Sequence, residues 1–248
     1  MSESQARRLT GLVLLLGSLA LAVPLLPGLP AGSGFLLFHV AWPLLFFSAG
    51  LTGRTPWVVF VAGGALGVHG LTAGWSVSNW IATVAAGMSL ALWGLDRALD
   101  QVLRQASNTG FAAFLARKRG NVLLLALPVA AVLFNADSLD GYAGGQLPIL
   151  ACGALYFLVA AVFRRRTELM EALAERWRIK LGITFVFSLI LAIAHYRLNF
   201  GTDVLVPMQD WRRGIFCLSY AFLGWRWCYA LYGWAVGAAG FGGRGVPR

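Results

Sequence analysis

The side chains most able to do chemistry in this sequence are ionisable groups set inside long apolar runs: His39, His69, His195 and Arg226. Such groups are costly to keep in a membrane-spanning segment, which makes each a functional candidate. A neutral imidazole there can act as general base, metal ligand or haem ligand. The competing reading is a histidine hydrogen-bonded to a backbone group or hydroxyl in a helix interface. Arg226 lies well inside its run, flanked by Trp225, Trp227 and Tyr229. An arginine at such depth pairs with a carboxylate, a carbonyl or an anionic ligand. None of the apolar runs contains Asp or Glu, so its partner is a neutral polar group or an anion from outside the chain. Arg197 follows His195 and opens a loop, 197–213, that also holds Asp203, Asp210, Arg212 and Arg213 and suits a substrate mouth or an interfacial loop anchored by Trp211.

The elements that position these residues follow from composition. Of 248 residues, 58% are hydrophobic and only 12% are charged, about half the charge of a soluble domain. The expected fold is an all-α, polytopic membrane bundle occupying 1–248 as one domain. Crossing the hydrocarbon core takes about 20 residues, and the runs that meet or approach this are Leu9–Leu29, Gly34–Leu51, Trp57–Trp75, Val77–Leu95, Asn121–Asn135, Gln146–Phe163, Leu181–Tyr196 and Gly214–Phe241. The first follows Arg7 and Arg8 but is long for a signal sequence and ends in a poor cleavage site, so an uncleaved helix is expected.

Charge tests this partition. With the N-terminus inside, the inner segments carry Arg7 and Arg8, Arg54, the stretch from Arg97 to Arg119, the cluster from Arg164 to Lys180, and Arg244 with Arg248. The outer loops are nearly neutral or acidic, and only Arg197, Arg212 and Arg213 oppose the trend. The positive-inside rule then places both termini in the cytoplasm, and a bacterial cytoplasmic (inner) membrane is the expected location. The net charge of +10 is carried by these loop clusters, which argues against nucleic acid as the partner.

The inner connectors 96–120 and 164–180 mix apolar residues with Arg and Lys. In the second, Leu169, Leu173 and Trp177 recur at helical spacing. Such a helix either lies in the headgroup layer facing anionic lipid or forms a solvated hairpin. Gly63, Gly67, Gly70 and Gly74 line one helix face, and Gly233 and Gly237 repeat the pattern, as close helix packing requires. The three cysteines, Cys152, Cys217 and Cys228, sit in apolar runs without CxxC spacing, so neither a disulfide framework nor a metal site is expected. No P-loop, HExxH or GxSxG is present, and no GxGxxG follows a strand.

Two stretches resemble the membrane acyltransferase-3 family. "FHVAWPLLFFSAGLTGR" (38–54) is similar to an early span in which a His precedes a Pro-Leu-Phe-rich run. The part from 154–178 to "FLGWRWCYALYGWAVGAAGFGGR" (222–244) is similar to the later half, where a basic cytoplasmic helix precedes a Trp-rich span. The resemblance implies acyl transfer from a cytoplasmic donor such as acyl-CoA to a cell-envelope glycan or lipid, with His39 as base. Arg226 is the anion binder that its depth suggests, with His69, His195 and Arg197 as further substrate contacts. The family's first-span Arg and His pair and its closing span pattern are missing here. Two other functions are open: a b-haem module in which His39 and His69, both roughly 8–9 Å inside the outer boundary by helical rise, ligate the iron, and a non-enzymatic subunit of a membrane complex.

Overall fold

The computed structural model describes residues 8–13, 15–16, 33–52, 94, 97–98, 100–108, 110, 114–115, 121–135, 146–197 and 211–239. Regular structure among the described residues is helical, with no strand. The helices are α1 (Ser33–Thr52), α2 (Asp100–Asn108), α3 (Asn121–Phe134), α4 (Gln146–Arg165), α5 (Thr167–Ala174), α6 (Trp177–Arg197) and α7 (Trp211–Ala238). One of these, α6, holds a stretch long and apolar enough to cross a membrane, Trp177–Ala194; α1 and α3 contain shorter apolar stretches, Pro43–Thr52 and Val122–Phe134. Spans expected at Trp57–Trp75 and Val77–Leu95 lie outside the described residues, apart from Gly94, as do the glycines from Gly63 to Gly74.

Helix α7 is the central element, with α1, α3, α5 and α6 packed on it and α4 reaching it through the side chains of Tyr156 and Phe163. Its contacts fix the direction of each neighbour. Against α4, Tyr156 meets Trp225 and Phe163 meets Tyr229, so the two helices run parallel. Against α1, Gly224 lies on Pro43 while Phe47 stacks on Tyr232, again parallel. Against α3, Gly214 approaches Phe134 and the Trp225 Nε1–H donates to the Leu125 carbonyl at 3.0 Å, an antiparallel pair. Against α6, Phe187 meets Phe222 and Lys180 meets Arg226, also antiparallel. Helices α1, α4 and α7 therefore run one way, and α3 and α6 the other.

Small residues decide how close the helices come. A Cβ on Gly153 would sit 2.5 Å from the Phe46 ring, and one on Gly50 would fall on the Phe157 carbonyl. Only a residue without Cβ lets α1 and α4 approach to this distance. Gly233 plays the same part, where a Cβ would meet the Leu173 carbonyl at 2.5 Å, and Gly237 lies against Trp177. The pattern read at 233–237 is thus a contact with α5 and the start of α6.

The core is aromatic. Phe47, Phe163, Trp225, Tyr229 and Tyr232 are all buried and touch one another, mostly in tilted or edge-on arrangements. Buried hydroxyls need partners, and Tyr232 donates to the Leu44 carbonyl at 2.6 Å, while Tyr156 donates to that of Ala221 at 3.4 Å. Ser48 donates to the Val13 carbonyl at 3.0 Å, which ties the N-terminal helical residues to α1.

The basic connector 164–180 is not one helix. Helix α5 ends at Ala174, the chain turns through Glu175 and Arg176, whose φ is +52°, and α6 begins at Trp177. Trp177 belongs to the long helix and not to the amphipathic one. The Lys180 ammonium reaches back to the carbonyls of Ala172 and Leu173, at 2.9 and 2.8 Å, and so satisfies the end of α5. Leu169, Met170, Leu173 and Ala174 are buried, and α5 packs on α7 and α4. Its apolar face is covered by protein, in place of the headgroup layer or open solvent.

The two connectors meet at one end of the molecule. Asp100 of α2 accepts from Arg165 Nη2 at 2.9 Å and from Arg104 Nε at 2.6 Å. These hydrogen bonds, Arg165 first and Arg104 second, hold the Asp100 carboxyl below its ordinary value. At the other end Arg213, one of the cations opposing the charge trend, is buried with its guanidinium over the Phe134 ring at 5.6 Å. Helix α7 starts early enough, at Trp211, to carry this arginine into the protein.

Candidate functional site

Arg226 occupies the seam between α6 and α7. Its Nη2 donates to the Lys180 carbonyl at 3.4 Å, and its guanidinium carbon lies 6.0 Å from the centre of the Phe222 ring. Its Nε is buried without a hydrogen-bond partner. The same carbonyl of Lys180 already accepts from Thr184 Oγ1 at 2.6 Å, so it is a shared and distant acceptor for a full positive charge. No carboxylate contacts Arg226 among the described residues.

The seam continues as a polar ladder. Ser188 donates to the Thr184 carbonyl at 2.8 Å, and the Trp227 indole donates to Ser188 Oγ at 3.1 Å. Lys180, Thr184 and Ser188 recur at spacings of four and so share the α7-facing side of α6. Of these two bonds, that from Trp227 crosses between the helices and that from Ser188 lies within α6. One turn along α7 from Arg226, Tyr229 is packed among Phe47, Phe163 and Trp225, and its hydroxyl is buried without a partner. The sequence pattern Arg-Trp-Cys-Tyr places Arg226 and Tyr229 three residues apart, on adjoining parts of one face.

The depth read for Arg226 needs correction. Its level is set by α6, where Lys180 is in the first turn, next to the basic connector and not midway along the helix. Helix α7 extends beyond α6 at this end, and its last turns pack on Trp177 and Leu173. Counting inward from the ends of α7 therefore overstates how far Arg226 is from the connector.

His39 is on α1, one turn before Pro43. Proline has no N–H to donate to the carbonyl four residues earlier, which here is that of His39. Because Pro43 lies level with Gly224, His39 is about 9 Å further along the bundle than Arg226 by helical rise. Helix α1 contacts the face of α7 that carries Gly224 and Tyr232, whereas α6 contacts the face that carries Phe222 and Arg226. These faces are on opposite sides of α7, so the structure does not bring His39 and Arg226 together. His195 and Arg197 are in the last turn of α6, at the end remote from Lys180. His69 lies outside the described residues, and with it the pairing of His39 and His69 about a haem.

No family model matches this chain, and no curated protein or solved structure matches it either.

Proposed function

We propose that the chain is a polytopic integral membrane protein of about eight spans, with both termini cytoplasmic, that receives an anionic acyl donor at Arg226 and transfers its acyl group. The observation that carries the proposal is the guanidinium of Arg226, buried in part, with an unpartnered Nε and only a shared carbonyl as acceptor. A charge held in this way is stabilised by an anion that completes its hydrogen bonds.

Three features support the membrane reading. The directions of α1, α3, α4, α6 and α7 alternate as the eight-span partition requires. The basic connectors meet through Asp100 and Arg165 at one end. Helix α6 is packed on α7 and leaves Ile179, Ile183, Phe185, Val186 and Ile190 more than half exposed, as a helix facing lipid does.

An acyl-CoA has the matching chemistry: phosphates for Arg226 and a thioester. The donor must then reach from Arg226 past α7 to His39, about 9 Å further along the bundle, where the imidazole takes the proton from an acceptor hydroxyl as its oxygen attacks the thioester carbonyl. The acyl–sulfur bond breaks, and the thiolate leaves to be protonated. The test is acyl release from acyl-CoA by the full chain in phospholipid vesicles with a glycan or lipid acceptor. His39→Ala is expected to abolish it, and unchanged activity removes His39 from the mechanism.

A second reading rests on the placement of His39 and Arg226 on opposite sides of α7. A non-enzymatic subunit of a membrane complex needs the anion-binding arginine but no base beside it. Anion binding without acyl release in the same vesicles favours that reading.

A further inference from the structure

Among the described side chains, the outward face of α6 carries one cation. Arg178 is exposed, and its described contact is with the Trp177 ring, 5.4 Å from the guanidinium carbon to the ring centre. Trp177 is itself fixed, since Gly237 of α7 leaves room for its indole. The cation therefore lies over a ring that is itself packed on α7. Directly beyond it, at spacings of three and four, come Gly182, Phe185 and Leu189, on the side of α6 opposite Lys180 and Thr184. Phe185 and Leu189 are more than half exposed, and a Cβ on Gly182 would meet nothing within 4 Å. This is a shallow apolar track with a positive charge at the connector end.

We propose that this track binds one anionic phospholipid, with its phosphate on Arg178 and an acyl chain along Gly182, Phe185 and Leu189. The inference rests on the membrane reading above and adds a defined headgroup position. Charge decides between lipid and a second copy of the chain as the occupant. A twofold dimer of parallel chains through this face would set Arg178 beside its own counterpart, an unfavourable like-charge pair in a region of low dielectric. A phosphate satisfies the same guanidinium with two parallel hydrogen bonds.

The experiment is native mass spectrometry of the full chain in mild detergent with equal amounts of phosphatidylglycerol and phosphatidylcholine bearing the same acyl chains. The expected result is retention of the anionic lipid in preference by about fivefold, the effect of one cation near a membrane surface. Arg178→Gln brings the ratio close to one, and Arg104→Gln, at an exposed position on α2, leaves it unchanged. The proposal is overturned by equal retention in the wild type, by a preference that survives Arg178→Gln, by an equal loss in the Arg104→Gln control, or by a dimer that carries no lipid. Failure of the membrane reading is a separate outcome, seen as release of the protein from phosphatidylcholine vesicles by an alkaline wash.

Discussion

Arg226 and Lys180 meet through a single long hydrogen bond, 3.4 Å from the guanidinium Nη2 to the backbone carbonyl. That one contact places Arg226 at the connector end of α6 and leaves the guanidinium short of acceptors. Lysine at this position keeps the charge but loses the planar fork. Arg226→Lys should therefore weaken binding of a phosphate-bearing ligand by about tenfold, one charge-assisted hydrogen bond. Equal binding by the lysine variant would mean that charge alone is read.

Glycines give the sharpest contrast in stability. Gly50→Ala places a methyl on the Phe157 carbonyl and forces α1 away from α4, at a cost of about 2 kcal/mol or more. Gly182→Ala adds a methyl where nothing lies within 4 Å, and the helix should gain about 0.5–1 kcal/mol. Thermal unfolding in detergent compares the two, and a neutral Gly50→Ala would contradict the α1–α4 packing.

The hydroxyl of Tyr232 and the indole N–H of Trp225 each bond a carbonyl on another helix. Tyr232→Phe removes a donor and leaves the Leu44 carbonyl with its remaining helical partner, so the expected loss is about 1 kcal/mol. Tyr229→Phe removes a hydroxyl that has no partner, and stability should hold or rise. A larger loss for Tyr229→Phe than for Tyr232→Phe would show that the Tyr229 hydroxyl is engaged.

Much of this arrangement is legible in the sequence, within limits that have physical causes. The expected run Gly34–Leu51 appears as α1 at Ser33–Thr52, and Asn121–Asn135 as α3 at Asn121–Phe134, because continuous apolar helices declare their own ends. The start of α6 is read too late, at Leu181 in place of Trp177. Arg178 and Lys180 look like loop residues by charge, yet a first helical turn accepts long cationic side chains whose stems pack while their heads reach outward. The apolar face of α5 is visible as Leu169 and Leu173, but spacing alone does not say whether lipid or α7 covers it. Arg226 stands out as an ionisable residue in an apolar run, whereas its level depends on which part of α6 it meets. The close approaches at Gly50 and Gly153 carry no sequence signal beyond glycine itself, and the bond from Asp100 to Arg165 spans 65 residues.

Acidification should act through Asp100. Its carboxyl is held below the ordinary value by Arg165 and then Arg104. A lowered folded-state value means that its contribution is complete above the unfolded value of 3.8 and is lost as pH falls through the folded one. Asp100→Asn should thus lower stability at neutral pH and flatten the acid limb of the stability profile. An unchanged limb would remove this ion pair from the account.

All three cysteines are buried, with Cys217 and Cys228 fully enclosed. Reaction with a polar maleimide should be absent in the folded protein and complete in dodecyl sulfate. Rapid labelling of Cys228 under native conditions would place the face of α7 next to Trp227 in water.

The most direct test of the account is calorimetric titration of the detergent-purified full chain with acyl-CoA, beside Arg226→Gln and His39→Ala. Saturable binding is expected, weakened by about tenfold or more in Arg226→Gln, as loss of a charged hydrogen-bonding partner does, and retained in His39→Ala. The absence of saturable binding, or equal affinity in Arg226→Gln, would contradict the account.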